Sequence, residues 1–303
     1  MNAKDLQTIF HGLDVGTVTF NEPLSRHTTW KIGGPADMFV VPTKVEQLQL
    51  LAKTIGEHHL PWYVIGRGSN LLVRDGGIRG VVIKLADNFA DVSVTGNRLT
   101  AQAGRSYVSA ANTAIRSGLQ GLEFATGIPG TVGGAVMMNA GAHGGETKDV
   151  LLCADIIEED GSIRTLHNRD LKFAYRYSIL KDRPRIVVRA TFQLQPGNTE
   201  EMLQKVRAWT RRRQTTQPLQ LPNCGSVFRN PEGTHAGLLI EQAGLKGTRI
   251  GGAQISELHG NFIVNLDKAK AADVLALIEL VQTTIRERTG ITLIPEVRIV
   301  GED

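Results

Sequence analysis

The amino-acid sequence predicts an α+β fold in three consecutive parts. Three observations carry that reading. Residues 186–194 alternate strictly: Ile186, Val188, Ala190, Phe192 and Leu194 share one side, with mostly Arg, Thr and Gln between them, the pattern of a half-buried strand. Val45, Leu48, Leu51, Ala52 and Ile55 recur at helical spacing, as do Val274, Ile278, Val281 and Ile285. Between such segments lie two glycine-rich stretches that suit neither a stable helix nor a central strand. A chain of 303 residues exceeds one typical domain, and the boundaries are expected to divide it into 1–85, 86–197 and 198–303.

The first part holds a helix over 45–60 that Pro61 ends, the strand Trp62–Ile65, and a strand at Val81-Val82-Ile83. In the second part, residues 91–104 alternate around Thr95-Gly96-Asn97, a hairpin signal. Val108, Ala111 and Ile115 mark a helix that Gly118 closes. A second hairpin centres on Asp160-Gly161, between Ile156-Ile157 and Ile163. Pro196-Gly197-Asn198 is the best boundary signal. Asn198 can cap a helix with Glu201 at its third position and Met202, Val206 and Trp209 on one apolar face. Arg211, Arg212 and Arg213 then fall at its C-terminal end, where the helix dipole favours cations. The last part adds a strand at Phe262-Ile263-Val264, a helix bearing Val274 to Ile285 with Gly290 as its C-cap, and a final strand around 291–300.

Composition narrows the function classes. With 41% hydrophobic and 21% charged residues the chain is ordinary globular protein. The net charge of +4 suits anionic small molecules and is too weak to argue for a nucleic-acid partner. Cys153 and Cys224 form no C-x-x-C and no metal spacing, so two reduced thiols and no metal site are expected. Met1–Phe10 lacks a signal-peptide pattern, and no apolar run reaches the length of a membrane helix. A soluble, cytoplasmic protein without a membrane partner is expected, with a monomer as the simplest state.

The glycine-rich stretches are the most informative feature. Residues 127–145 contain seven glycines, among them Gly127, Gly130, Gly133, Gly134 and Gly141. The other stretch, Gly66-Arg67-Gly68-Ser69-Asn70, directly follows the apolar run Trp62–Ile65. Such loops bare backbone N–H groups and remove Cβ atoms, which lets a chain wrap closely around a diphosphate. Two of them suggest one long ligand gripped at two places. Neither is followed by Lys-Ser/Thr, and neither matches G-x-G-x-x-G between strand and helix, so neither a P-loop nor a Rossmann site is expected.

Three further features could carry chemistry. Tyr175-Arg176-Tyr177-Ser178 sets an arginine between aromatics; Gly225-Ser226-Val227-Phe228-Arg229-Asn230-Pro231 presents a serine on a turn; Pro295-Glu296-Val297-Arg298 puts a carboxylate in an apolar strand. Each has a structural alternative. Arg176 could form an ordinary ion pair, Ser226 could serve the turn or cap a helix, and Glu296 could pair with Arg298 or face solvent. Ser226 lacks G-x-S-x-G, no H-E-x-x-H occurs, and His58-His59 reads as a solvated helix end.

Taken in order, the segments are specific. Thr28-Thr29-Trp30-Lys31-Ile32-Gly33-Gly34-Pro35-Ala36-Asp37, Gly66-Arg67-Gly68-Ser69-Asn70-Leu71-Leu72, Gly127-Ile128-Pro129-Gly130-Thr131-Val132-Gly133-Gly134, Asn139-Ala140-Gly141-Ala142, Tyr175–Ser178, Gly225–Pro231 and Pro295–Arg298 span almost the whole chain. The set resembles the UDP-N-acetylenolpyruvoylglucosamine reductases, the MurB family of peptidoglycan synthesis. No long insertion separates Ser178 from the strand at 186–194, which resembles the shorter second subtype, lacking the loop that supplies an extra substrate-binding tyrosine.

The resemblance implies an FAD-binding fold of the PCMH/vanillyl-alcohol-oxidase type in two subdomains, followed by a C-terminal α+β substrate domain. It implies an oxidoreductase, a UDP-N-acetylmuramate dehydrogenase, in which NADPH reduces FAD and the reduced flavin reduces the enolpyruvyl ether of a UDP-sugar. Covalent FAD in wider relatives uses a histidine near the first loop; none lies between Trp62 and Val82, so non-covalent FAD is expected. The implied cofactor residues are Gly66, Arg67, Gly68, Ser69, Asn70, Leu71, Gly127, Ile128, Pro129, Gly130, Thr131, Gly133, Gly134, Asn139, Ala140, Gly141 and Ala142. Tyr175, Arg213, Asn230 and His259 fall at positions resembling substrate contacts.

The implied catalytic residues are Arg176, Ser226 and Glu296. Hydride addition to the β-carbon of the enol ether builds charge on its carboxylate, which calls for preorganised donors there. Arg176 is the family's planar fork for that group. Glu296 joins only if protonated, as a donor, which burial in an apolar strand would favour. Ser226 is the family's proton donor to the α-carbon. The alternatives are another PCMH-type FAD oxidase or dehydrogenase, which has no reason to combine these three residues, and a non-catalytic nucleotide-binding protein, which does not account for two diphosphate-style loops.

Overall fold

The computed structural model describes residues 3–183 and 185–303. In chain order the elements are α1 (Ala3–Ile9), β1 (Thr17–Pro23), β2 (Pro35–Val41), α2 (Val45–Glu57), β3 (Trp62–Ile65), β4 (Leu71–Val73), β5 (Ile78–Lys84), β6 (Val92–Thr95) and β7 (Arg98–Gln102). Then come α3 (Tyr107–Arg116), β8 (Leu119–Gln120), α4 (Val132–Met138), β9 (Gly141–Ala142), β10 (Gly145–Glu146), α5 (Thr147–Val150), β11 (Leu151–Ile157), β12 (Ile163–His167), β13 (Ile186–Gln193) and β14 (Gln195–Pro196). The last are α6 (Thr199–Thr216), α7 (Ala236–Gln242), β15 (Arg249–Ile250), β16 (Ala253–Ile255), β17 (Ile263–Asn265), α8 (Ala271–Thr289) and β18 (Arg298–Val300).

The chain forms two compact units, and they interleave along the sequence. The first takes the chain up to Phe20, then Met38–Arg67 and Gly80–Thr210; the second takes Asn21–Asp37, Gly68–Arg79 and Arg211–Asp303. The first unit holds a four-stranded sheet in the order β1-β2-β5-β3 and a five-stranded sheet in the order β12-β11-β13-β7-β6. In the five-stranded sheet the paired strands are antiparallel throughout. β3 and β5 run parallel, with Ile65 opposite Lys84. One core joins Leu48, Leu51 and Ile55 of α2 to Val81 and Ile83, and continues through Tyr107, Ala110 and Ala114 of α3 to Ile186, Val188, Ala190 and Phe192. The helical spacing of α2 and the strict alternation of β13 thus meet on shared apolar ground.

The second unit has its own core, in which Trp30, Ile32 and Leu72 pack with Val227, Phe228, Val274, Leu277, Ile278, Val281 and Ile285. Its α8 is closed as its sequence predicts: Gly290 adopts φ +74 and its N–H returns to the Arg286 carbonyl. At the other end Asp75 accepts from the Ala271 and Ala272 N–H groups, at 2.9 and 3.0 Å. Trp30 donates its indole N–H to the Ile263 carbonyl at 2.8 Å, and β4 pairs in parallel with β18. Segments near the start of the chain therefore build the unit that contains its end.

Three local expectations are corrected. The glycine-rich stretch 127–145, expected not to be helical, holds α4 over Val132–Met138, because Thr131 caps it and Val132, Ala135 and Val136 are buried. The strand expected over 291–300 is confined to Arg298–Val300. Pro295 has no N–H for a ladder, and the chain before it instead makes single bonds to the 227–229 segment. Glu296 therefore lies outside the strand, half-buried rather than enclosed in it. On α6 only Met202 is buried, and the helix runs on past Arg213 to Thr216. Trp209 is accounted for otherwise: its ring stacks flat on His143 with centroids 4.4 Å apart.

Candidate active site

Gly66, at the start of the first glycine loop, meets Thr131 of the second within the first unit. A Cβ on Gly66 would lie 2.4 Å from the Thr131 hydroxyl and 2.9 Å from its methyl, so only glycine allows that contact. Thr131 is the N-cap of α4 and takes the Gly134 N–H at 3.4 Å. The second loop is pinned by backbone bonds from Val132 to the Arg105 carbonyl, from Gly133 to the Ala103 carbonyl and from Tyr107 to the Gly130 carbonyl. Four consecutive backbone N–H groups, those of Arg67, Gly68, Ser69 and Asn70, have no acceptor among the described residues. Exposed Gly134 is different in kind from Gly66: a Cβ there would meet only the Thr131 hydroxyl, at 3.5 Å. Protein packing does not require a glycine at 134. A run of unpaired donors and a bare helix face fit a diphosphate group that needs close backbone approach.

Arg176 belongs to the same unit. Ala174 and Tyr177 exchange backbone hydrogen bonds at 3.1 Å in both directions, leaving Tyr175 and Arg176 as the two residues of a tight turn. Arg176 takes φ +55 there, a position that usually goes to glycine. Strain of the order of 1–3 kcal/mol at a non-glycine residue persists where the surroundings enforce it. Asn139 does much of the enforcing. It is fully buried, ends α4 in the left-handed conformation, donates to the Ala174 carbonyl at 3.0 Å and to Glu146 at 3.1 Å, and accepts the Lys148 N–H at 2.9 Å. Its amide is thus committed to the fold. The Arg176 guanidinium donates to the Gly141 carbonyl at 3.1 Å and lies 4.8 Å from the centroid of the exposed Tyr175 ring. Beside it, burial alone would raise the Glu146 carboxyl. Hydrogen bonds from Lys148 and Asn139 and the charges of Lys148 and Arg176 outweigh this and hold it below the usual carboxylate range.

The second unit brings Ser226 and Glu296 onto adjoining segments. The Glu296 N–H donates to the Val227 carbonyl at 2.7 Å, and the Arg229 N–H donates to the Ile294 carbonyl at 2.9 Å. Gly225, at φ +81, makes the bend before Ser226, and its N–H is held by Asn223 at 2.9 Å. The Ser226 hydroxyl itself bonds to no described residue. Sequence reasoning missed the residue that fixes this turn. Buried Asn261 grips both backbone groups of Phe228, accepting its N–H at 2.9 Å and donating to its carbonyl at 2.8 Å. A polar residue directly before the apolar run Phe262-Ile263-Val264 was the available signal.

Residues 36–167 match the FAD binding domain family, and residues 217–300 match the C-terminal domain of UDP-N-acetylenolpyruvoylglucosamine reductase. The UDP-N-acetylenolpyruvoylglucosamine reductase of Halalkalibacterium halodurans is 51% identical over 299 residues, covering 99% of both chains. The chain belongs to the UDP-N-acetylenolpyruvoylglucosamine reductase family. The Bacillus subtilis reductase is 50% identical over 289 residues, 95% of each chain. The crystal structure of the Thermus caldophilus reductase, at 37% identity, covers 93% of this chain and 98% of its own with a TM-score of 0.81. The fold is accordingly the α+β arrangement expected, an FAD-binding domain with the reductase C-terminal domain.

The remaining expected substrate contacts of the reductase are placed as follows. Asn230 is exposed and its side chain accepts the Ala236 N–H at 3.2 Å, at the start of α7. His259 accepts the Asn261 N–H at 3.2 Å and lies against Phe262 with centroids 4.8 Å apart. Burial, with help from the Lys246 charge, pushes its imidazole below the usual histidine range. Arg213 donates to Gln217 at 3.0 Å, and burial lowers its guanidinium from the ordinary value. In the first loop, Asn70 donates to the Glu296 carbonyl at 3.2 Å and receives the Arg298 N–H at 3.1 Å. Both cysteines are free, and burial pushes the Cys224 thiol up. Among the described residues no group of His, Cys, Asp or Glu could hold a metal ion, and no helix is long and apolar enough to cross a membrane.

Proposed function

We propose that Arg176, Ser226 and Glu296 carry the chemistry of this reductase, which converts UDP-N-acetylglucosamine enolpyruvate to UDP-N-acetylmuramate in peptidoglycan precursor synthesis. The chain is an FAD flavoprotein that uses NADPH and acts on small-molecule substrates. The observation that carries the residue assignment is the Glu296 N–H on the Val227 carbonyl, which sets a carboxylate segment beside the turn bearing a serine hydroxyl without a protein partner.

When bound, FAD supplies the hydride that NADPH provides and the β-carbon of the enolpyruvyl group receives. The loops Gly66–Leu71, Gly127–Gly134 and Ala140–Ala142 hold the cofactor, through unpaired N–H groups in the first and the bare face at Gly134 in the second, while buried Asn139 fixes the third from within. Arg176 receives the substrate carboxylate, whose charge grows as the β-carbon is reduced. Its turn fixes the fork in advance, so little reorganisation is needed in the transition state. The Ser226 Oγ gives its proton to the α-carbon, and the new C–H bond replaces the developing charge. Glu296 is the second group for the substrate carboxylate, and only its protonated form can donate there. Tyr175, Arg213, Asn230 and His259 contact the rest of the UDP-sugar. The family matches over 36–167 and 217–300 support assigning 1–85 and 86–197 to cofactor binding and 198–303 to substrate. NADPH and a UDP-sugar are phosphorylated cytoplasmic compounds, which supports a cytoplasmic location.

Stopped-flow measurement of the two half-reactions tests the assignment. NADPH should bleach the flavin absorbance, and enolpyruvyl-UDP-GlcNAc should restore it without oxygen. Recolouring by oxygen alone would favour an oxidase of the same fold. Glu296 is tested by a pair of variants. If it is a neutral donor, Glu296→Gln should be the milder change and should flatten any loss of activity between pH 6 and 10, while Glu296→Asp slows the second half-reaction more. A Gln variant much slower than Asp at every pH would sink the neutral-donor role. Both variants melting early with near-normal rates would reduce Glu296 to a structural residue.

A further inference from the structure

Lys84 ends β5, directly opposite Ile65 of β3, and the chemistry above does not use it. Its ammonium donates to the Gly66 carbonyl at 2.7 Å. The side chain is half-buried, so a long flexible stem is held in one place beside the first glycine loop. The peptide between Gly66 and Arg67 is planar and trans, so its C=O and N–H point in opposite directions. A lysine that holds the Gly66 carbonyl therefore turns the Arg67 N–H away from itself. That N–H is the first of the four in the loop with no acceptor among the described residues. Gly66 is also the residue seated on Thr131, so the same contact steadies the meeting of the two loops.

We infer that Lys84 is a positioning residue for the cofactor diphosphate, its ammonium setting the Gly66–Arg67 peptide and adding positive charge there, so that FAD binds more tightly when Lys84 is protonated. This rests on the loops being the FAD site. The sign follows from linkage. Burial first, then the Arg67 charge, lower the Lys84 ammonium to about 8, with Asp87 opposing. Arg67, in the loop after β3, and Asp87, in the turn after β5, are the charged groups acting on it. Neither an arginine nor a carboxylate ordinarily changes charge near pH 8, so that window belongs to the lysine. A bound diphosphate favours the ammonium, and by reciprocity protonation favours the diphosphate. Affinity is fully present below about pH 8 and is lost as pH rises through that value. One linked proton limits the loss to roughly tenfold per pH unit.

The experiment dilutes the holoenzyme in buffers from pH 6.5 to 9.5 and follows released FAD by its fluorescence. Wild type should hold a constant Kd to near pH 7.5 and weaken toward pH 9. Lys84→Met should bind FAD roughly tenfold more weakly at pH 7, the loss expected for one charge-assisted bond, with no further weakening at pH 9. Lys84→Arg should restore the affinity and keep it flat with pH, because a guanidinium stays charged throughout. Melting of the flavin-free proteins shows that all three fold alike. A Lys84→Met variant with wild-type Kd at pH 7, an arginine variant as weak as the methionine one, or a wild-type pH profile shared by all three would overturn the inference. A wild-type protein that binds no FAD at any pH would overturn the cofactor site itself.

Discussion

Ser226→Ala is expected to keep its flavin and to accept hydride from NADPH at the wild-type rate, while the substrate half-reaction slows by roughly 10²–10⁴-fold, the usual worth of one positioned proton donor. The separation follows from where Ser226 sits. It lies on a turn of the second unit held by Gly225, Asn223 and Asn261, whereas the Gly66–Thr131 contact and the Gly134 face belong to the first. Removing one hydroxyl that bonds to no described residue leaves no buried group unsatisfied, so the fold should not suffer. Without a donor, the charge built on the α-carbon and carboxylate persists and hydride transfer reverses before it is trapped. Rapid mixing of the reduced variant with substrate measures the step through the return of flavin absorbance. Wild-type recolouring in the alanine variant would remove Ser226 from the mechanism. Ser226→Cys should recover part of the rate, because a thiol also carries a transferable proton.

Gly134→Val should fold with near-normal stability and purify without flavin. The expectation depends on which neighbours a side chain would meet. At Gly134 the protein offers only the Thr131 hydroxyl at 3.5 Å, an ordinary contact. The valine methyls must then occupy the space that a closely approaching diphosphate needs. Gly66→Ala is the contrasting control: its methyl would start 2.4 Å from the Thr131 hydroxyl and should lower the melting temperature of even the flavin-free protein. Flavin content after gel filtration, set beside the melting curve, distinguishes the two. A stable Gly134→Val protein that retains stoichiometric FAD would move the cofactor away from α4.

Much of this was written in short-range pattern. The helices Val45–Glu57 and Ala271–Thr289 and the strand Ile186–Gln193 each repeat their apolar residues at the period their geometry requires, and the glycine loops announce themselves by composition. The interleaving of the units was not legible. Trp30 reaches the Ile263 carbonyl and Leu71 pairs with Arg298, and neither partnership leaves a local period in the sequence. The same holds for Asn261, whose importance lies in the backbone of Phe228. Glu296 shows the opposite failure. Its apolar neighbours suggested a strand, but Pro295 withholds the donor a ladder needs, and the carboxylate ends up half-buried beside the 226–229 turn.

Asn139 has a consequence for anyone who would transplant parts of this protein. The helix α4 begins at the threonine that receives Gly66 and ends at the asparagine that suspends Ala174, so the meeting point of the glycine loops and the arginine turn hang from opposite ends of one seven-residue helix. They are a single module, not two loops. A chimera importing residues 131–142 from a distant flavoprotein would leave the 174–177 turn without its anchor, and one importing the turn alone would strand a fully buried amide. Exchanging the two segments together is the graft that should melt like the parent.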